Sequence, residues 1–332
     1  MSAEVFRLPL PLRPRLVRRV WGGGALRSLL GEDGVDVDPG AGPFGEAWLA
    51  DGASVVARGP LAGSTVAELA ERWGEELVGT LTVARYGRRL ALLVKLLDAA
   101  DDLSVQVHPD DDYALRREAA TGHLGKTEAW YVLRAEPRAY VLRGFVRPVT
   151  REEVRAAALD GSLPELLQRV AVGPGDVVVN PAGTVHAVGK GLLLYEVQQS
   201  SDLTYRLFDY GRRDAAGRPR ELHLDKALDV ADLSAAPATL PRPPAPGPGR
   251  WRRLVARPEF VLDAVLLRPD ADAAGATAPE SCHLLTVVDG AARLFAGGEQ
   301  LELTTGATAL LPAAMGAYRL SGFGEVLRAA VE

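Results

Sequence analysis

This chain of 332 residues predicts a mainly β fold in two parts, with a small helical insertion in the first. Three observations carry that expectation. The stretch Gly175 to His186 runs three β-branched residues, Val177, Val178 and Val179, into Asn180-Pro181-Ala182-Gly183. A buried strand therefore stops at a proline, which has no N–H for the ladder, and turns through a glycine into a second strand. After residue 250, short apolar runs bounded by turn residues recur at the spacing of a small barrel. Between the two parts, residues 235–250 hold six prolines and cannot keep regular structure for long. That makes 236–250 the linker, with domains at 1–235 and 251–332.

Taken in order, residues 17–48 are rich in glycine and read as short strands and loops, closing on Phe44-Gly45-Glu46-Ala47-Trp48. Thr65-Val66-Ala67-Glu68 is a capping box that opens a helix to about Leu77, with Val66, Leu69, Ala70, Trp73 and Leu77 on one face. Leu90 to Leu97 reads as a buried strand and Leu103 to Pro109 as another, whose period of two puts Ser104, Gln106 and His108 on one face. Gly125 to Leu133 starts as a turn and becomes a strand, with Trp130 and Tyr131 expected in the core. Thr150-Arg151-Glu152-Glu153 is a second capping box, opening one or two helices over about 150–170. Gly191 to Gln199 is a strand in which Leu192, Leu194, Glu196 and Gln198 share a face, and Leu203 to Tyr210 is extended with Thr204, Arg206 and Phe208 on one side. Polar residues on an inward face need a reason. Beyond the linker, strands are expected at 260–267, 283–288, 291–295, 300–303, 307–311 and 324–329.

Composition narrows the function. A formal net charge of −5 and a pI near 5.7 give no overall attraction to nucleic acid or to a membrane surface, so an anionic substrate must be caught by a local basic patch. A single cysteine, Cys282, rules out an intrachain disulfide and fits a reducing compartment. Arg7, Arg13, Arg15, Arg18 and Arg19, with prolines among them, break up any apolar run in residues 1–20 that would serve as a signal peptide or membrane span. The expectation is a cytoplasmic protein, a monomer or weak homo-oligomer, acting on a small molecule.

A glycine, five residues, Pro-x-Gly, two residues and a histidine, as in Gly175 to His186, resembles the second motif of the cupins. That resemblance implies two jelly-roll-like cupin β-barrels, with the histidine pointing inward to a metal. In the second half Gly306 and Pro312 take the matching places, but the position of His186 falls on Ala317, so the second barrel is expected to lack a metal site. In the first, four residues could meet one ion: Gln106, His108, Glu128 and His186. Two imidazoles and a carboxylate suit zinc or another borderline divalent metal, with the glutamine completing a mixed sphere and water filling an open position.

Four stretches sharpen the resemblance: Gln106-Val107-His108-Pro109-Asp110-Asp111, Gly125-Lys126-Thr127-Glu128-Ala129-Trp130-Tyr131, Pro181 to Ala187, and Gln198 to Arg206. Together, in this order, they resemble the type I mannose-6-phosphate isomerases, in particular the shorter bacterial members. The resemblance implies a zinc-dependent interconversion of mannose 6-phosphate and fructose 6-phosphate with one zinc per chain. It also implies Gln106, His108, Glu128 and His186 as ligands, Arg206 as an active-site residue, and Lys126 and Glu196 lining the pocket.

The reaction asks for such groups. Moving a carbonyl between C1 and C2 means removing a proton beside it and passing through an enediol whose oxygens gain negative charge, which a Lewis acid or cation steadies. Glu196 is the first candidate for the base and Lys126 the second, if burial and a nearby zinc depress its pKa. For Glu196 the plain alternative is an ion pair to Arg206. Lys126 and Arg206 are the best placed cations for the phosphate, with Arg143 and Lys190 behind them. Two other functions compete: a non-haem metal oxygenase, which uses the same two-histidine, one-carboxylate set, and a cupin that binds sugar phosphates without turnover.

Overall fold

Inward-facing polar residues on strands need a second layer to face, and the computed structural model supplies one. It describes residues 7–31, 34–213, 217–237, 239–240, 243 and 245–332. Residues 1–6 of the arginine-rich opening, and 238, 241–242 and 244 of the linker, lie outside the described residues. The chain is mainly β, as expected.

Three sheets stack in layers among the described residues. The middle sheet has seven strands, in the order Val177–Asn180, Glu128–Ala135, Leu192–Gln199, Leu92–Ala99, Phe44–Ala50, Arg15–Gly23 and Asp36–Val37. Its two central strands, Leu92–Ala99 and Leu192–Gln199, are buried along their whole length because both faces are covered. One face packs Val94, Leu96, Tyr195 and Val197 against residues of the C-terminal half, including Phe260, Leu262, Leu284 and Leu327. The other face packs Leu97, Trp130, Val178 and Leu194 against Leu103 and against Val141 and Val188 of a second, five-stranded sheet. That sheet runs Tyr205–Phe208, Val105–Val107, His186–Val188, Tyr140–Phe145 and Leu167–Ala171. Its outer face is covered by the helices Arg151–Asp160 and Leu224–Val230.

The third sheet has eight strands and belongs to the C-terminal half, except that its edge is Leu10–Leu12, paired antiparallel with Thr308–Leu311. The sequence division at 235 is thus crossed by the first strand and by a shared core, in which Leu10, Leu12, Leu77 and Val78 join Leu284 and Leu310. Contact is close where the halves meet. A Cβ at Gly79 would lie 2.2 Å from the carbonyl of Glu280, and Thr80 N–H donates to Pro279 O at 2.8 Å.

Both capping boxes form. Thr65 and Thr150 each accept from the backbone of the glutamate three residues on, and each glutamate returns a bond to the cap, an arrangement that typically stabilises a helix by about 1 kcal/mol. The extents differ from expectation. The first helix stops at Trp73 because Gly74 turns at φ 43°, and a short turn, Glu75–Val78, and a further helix, Thr80–Tyr86, follow. The second stops at Asp160, capped by Gly161 at φ 92°; residues 167–171, expected as helix, form a strand paired with Tyr140–Phe145. Helix Asp111–Arg117 was not anticipated, although Asp110 caps it by accepting from Tyr113 N–H at 2.7 Å. The two strands expected at 283–288 and 291–295 are one, His283–Ala296, whose register shifts near Val287 to Asp289 without breaking it.

Candidate active site

Register sets the site. In the middle sheet, Trp48, Lys95, Glu196, Trp130 and Val178 are consecutive cross-strand partners, and Gln198, Glu128 and Asn180 form a second row. In the facing sheet the row is Arg206, Gln106, His186 and Arg143. Partners within a row share a face, so the two sheets present their polar residues to each other.

His186 opens its strand after the turn 181–183, where Gly183 sits at φ 86° and its N–H donates to His108 O at 2.9 Å. The turn that aims one histidine thereby fastens the backbone of the other. His108 Nδ1 donates to Leu203 O and His186 Nδ1 to Thr184 O, both at 2.8 Å. A carbonyl can only accept, so the proton of each neutral ring sits on Nδ1 and each Nε2 presents a lone pair.

Those lone pairs converge on Glu128. His186 Nε2 lies 3.1 Å from Oε1 and His108 Nε2 3.3 Å from Oε2, and one ligand atom from each of the three residues lies within 4.8 Å of the others. Glu128 is fully buried, yet neither of its oxygens has a hydrogen-bond partner; Lys126 Nζ stands 2.9 Å from Oε2 as an ion pair only. Lys126 Nζ also lies 3.3 Å from His108 Nε2, but one ammonium at the edge does not offset the repulsion between two imidazole lone pairs and the carboxylate oxygens they face. A divalent cation between the three removes that repulsion, so the donors present fit a metal.

Gln106 adjoins the group but, as oriented, turns its amide nitrogen to it: Nε2 lies 3.4 Å from His186 Nε2, while Oε1 accepts from Ser104 Oγ at 3.3 Å. A half-turn about the amide would present the oxygen instead.

Above the group opens a cavity of about 370 Å³, lined among others by Gln106, Lys126, Glu196, Arg206, Lys95, Glu46, Arg19 and Arg220. Glu196 is buried and takes Trp130 Nε1–H at 2.9 Å, with Lys95 Nζ at 3.5 Å. Its partner is therefore Lys95 rather than the Arg206 of the plain alternative, and Trp130, expected as core only, also holds the carboxylate. Burial, with the charge of Glu128 behind it, raises the pKa of Glu196. Burial would depress the ammonium of Lys126, but Glu128 and Glu196 outweigh it and push its pKa up to about 12, opposite to the depression considered for a lysine base. Glu128 is held well below the usual range: burial alone would raise it, but Lys126, His186 and His108 prevail. Burial and Lys126 push His108 down to about 3.

Arg206 lines the cavity from the far sheet, with its backbone N–H donating to His223 Nδ1 at 3.1 Å and Nη1 to Glu221 O at 2.9 Å. Arg143 and Lys190 do not line it: Arg143 gives its Nε to Val179 O at 2.9 Å, and Lys190 is exposed.

Sequence reasoning missed five charged cavity residues, Arg19, Glu46, Lys95, Asp202 and Arg220. Lys95 was hidden in an otherwise apolar strand, where a lone lysine at an inward position was itself a signal. Glu46 and Arg19 form a two-point ion pair, at 2.8 and 3.0 Å, that needs two strands to be brought side by side. Arg220 sits in the segment after strand Tyr205–Phe208, and no local pattern marks it.

Comparison with known proteins gives the family and the fold. A model of the type I phosphomannose isomerase catalytic domain matches residues 10–139, and one of the mannose-6-phosphate isomerase cupin domain matches residues 271–331. The mannose-6-phosphate isomerase ManA of Bacillus subtilis (strain 168) is 36% identical over 332 residues, covering 96% of this chain and 98% of that protein. The crystal structure of the mannose 6-phosphate isomerase from Bacillus subtilis superposes with a TM-score of 0.84 at 32% identity, over 97% of this chain and 99% of that one. A zinc-bound mannose 6-phosphate isomerase shares the fold, with a TM-score of 0.76 at 19% identity, over 97% and 98% of the two chains.

Proposed function

The chain belongs to the type I phosphomannose isomerases, and from that premise we propose that it interconverts mannose 6-phosphate and fructose 6-phosphate through an enediol, using one zinc ion held by His108, Glu128, His186 and Gln106. The observation that carries the reading is the convergence of two imidazole Nε2 atoms and a buried carboxylate, whose oxygens have no hydrogen-bond partner and one ion-pair neighbour in Lys126, beneath a cavity rich in cations. Zinc would supply Lewis acidity toward the oxygens on C1 and C2.

The chain's own residues do the rest. Arg206 and Lys126 bind the substrate as cations. Glu196 takes the proton from C2 of the aldose and returns it to C1, while the hydroxyl proton passes from O2 to O1, so the atoms balance. A carboxylate whose pKa is raised by burial is a better base than an ordinary one, and such a group typically contributes 10²–10⁴-fold. Lys126, kept as an ammonium, donates toward the oxygen that gains charge and does not abstract the proton. Leu97, Leu103 and Trp21 on the cavity wall limit water around the enediol. We read the N-terminal part, 1–235, as the catalytic cupin unit and the C-terminal part as its structural partner, and the single, buried Cys282 as suited to the cytoplasm.

The test is a coupled assay for fructose 6-phosphate formed from mannose 6-phosphate, with and without a chelator, on the wild type and on His186→Ala. Activity that survives stripping of the metal would overturn the mechanism. Iron in the purified protein together with oxygen consumption would replace it with an oxygenase.

A further inference from the structure

The five cations of the cavity are not equally engaged. Arg19 is spent on Glu46, which burial alone would raise but which Lys95 and Arg19 hold down to about 2. Lys95 lies between Glu46 and Glu196, and Lys126 faces Glu128. That leaves Arg206 and Arg220, which line the cavity together with Ser104, Thr204 and the carboxylate of Asp202.

No carboxylate lies in ion-pair contact with Arg206 among the described residues, and its Nε is buried without a hydrogen-bond partner. Arg220 gives Nε to Asp209 Oδ2 at 2.6 Å and Nη2 to Oδ1, but the buried Asp209 is shared with Arg212, whose Nη2 is 2.6 Å away. Two guanidinium groups thus share one buried carboxylate, with Asp101 3.8 Å from Arg212 as well, and Arg206, paired with neither acid, adds a third positive charge nearby. Burial and the neighbouring Arg220 both lower the pKa of Arg206, the mark of like charges held together. An anion joining Arg206 and Arg220 would offset that repulsion. A guanidinium that gives one edge to Asp209 keeps its opposite edge for an acceptor such as a phosphate oxygen.

We propose that Arg220 is the second arginine of a phosphate clamp, closing with Arg206 on the phosphate of the sugar, and that Asp209 positions it. The inference rests on the isomerase reading and deepens it. The phosphate goes to Arg206 and Arg220, which leaves Lys126 and Glu196 to C1 and C2. Arg220 then determines specificity for a phosphorylated hexose.

The experiment compares zinc-loaded wild type with Arg220→Gln, Arg220→Lys and Asp209→Asn. It measures kcat and KM for mannose 6-phosphate, competitive inhibition by inorganic phosphate, and binding of inorganic phosphate by calorimetry. Arg220→Gln is expected to raise KM and the phosphate inhibition constant together by about 10- to 100-fold with kcat changed by less than about threefold, the pattern of a lost ground-state contact. Arg220→Lys should recover part of the loss, because a point charge remains without the fork. Asp209→Asn should weaken phosphate less than Arg220→Gln. Unchanged KM and unchanged phosphate inhibition in Arg220→Gln overturn the clamp, as does a fall in kcat alone. If the glutamine variant does not fold, Arg220→Lys decides by the same two constants. Should wild type fail to turn over mannose 6-phosphate, the isomerase reading falls, and calorimetry still judges the clamp by whether inorganic phosphate binding is lost with Arg220.

Discussion

The two halves of the molecule, both built of antiparallel strands, treat polar groups in opposite ways. In the N-terminal half the facing sheets turn His108, Glu128, His186, Lys95 and Glu196 toward each other, and both oxygens of Glu128, Gln198 Oε1 and Arg206 Nε are left without hydrogen-bond partners. In the C-terminal half the interior is Val265, Leu285, Val287, Leu294, Leu311 and Leu320, and the polar groups at one end satisfy one another. There Asp263 accepts from Arg253 at 2.6 Å and from Arg328 at 2.8 Å, His283 Nδ1 meets the Tyr318 hydroxyl at 3.0 Å, and Arg328 stacks on Trp251 at 4.3 Å. At the position matching His186 stands Ala317, exposed at the start of strand Ala317–Ala330. A buried polar cluster that is complete adds order; one that is incomplete has room for a ligand. The C-terminal half still touches the site: Glu259 Oε1 accepts from Oγ1 of Thr127, the residue between Lys126 and Glu128, at 3.1 Å.

The contrast can be broken most forcefully at the metal centre. His186→Ala should lose bound zinc and at least about 10³-fold in kcat; full activity with metal absent, read by elemental analysis beside the coupled assay, would end the comparison. Glu196→Gln should keep zinc while kcat falls by roughly 10²- to 10⁴-fold. In the closed cluster the effect should move from catalysis to stability. Asp263→Asn leaves Arg253 and Arg328 without their shared carboxylate, which typically costs about 3–5 kcal/mol in a denaturant titration, with kcat/KM unchanged.

Acid titration probes the ion pairs of the N-terminal half. Glu46 has a folded pKa of about 2 against 4.5 for the free group, so its contribution is fully present above pH 4.5 and is lost as pH falls toward 2. That amounts to on the order of 3 kcal/mol, and Glu46→Gln should flatten this part of the stability curve. The smallest expected effect is that of Glu259→Gln, which removes a carboxylate behind Thr127. Zinc affinity should fall by about tenfold with little change in melting temperature, and no change in affinity would make the contact between the halves purely structural.

Much of this was legible before folding. Period two in Leu192 to Gln199 placed Glu196 and Gln198 on one face, and Pro181 and Gly183 announced the turn that aims His186. These are local properties, readable from neighbours in sequence. Helix Asp111–Arg117 lay behind an aspartate cap that composition alone does not emphasise, and residues 167–171 became a strand because Tyr140–Phe145 offered an edge to pair with. Arg220 and Lys95 gave no motif. One is aimed by Asp209, and the other lies between two carboxylates from neighbouring strands.

By itself the sequence determined the mainly β fold class and both helix caps, because backbone propensity, strand period and turn chemistry act over a few residues; the residues that gather around Glu128 were named through the family resemblance. Only the tertiary structure decided which charges are already neutralised and which remain open. Burial and pairing across strands depend on distances between residues far apart in the chain, as between Lys95 and Glu196 or Thr127 and Glu259. The balance between desolvation and those pairings sets each group's charge, and so its chemistry.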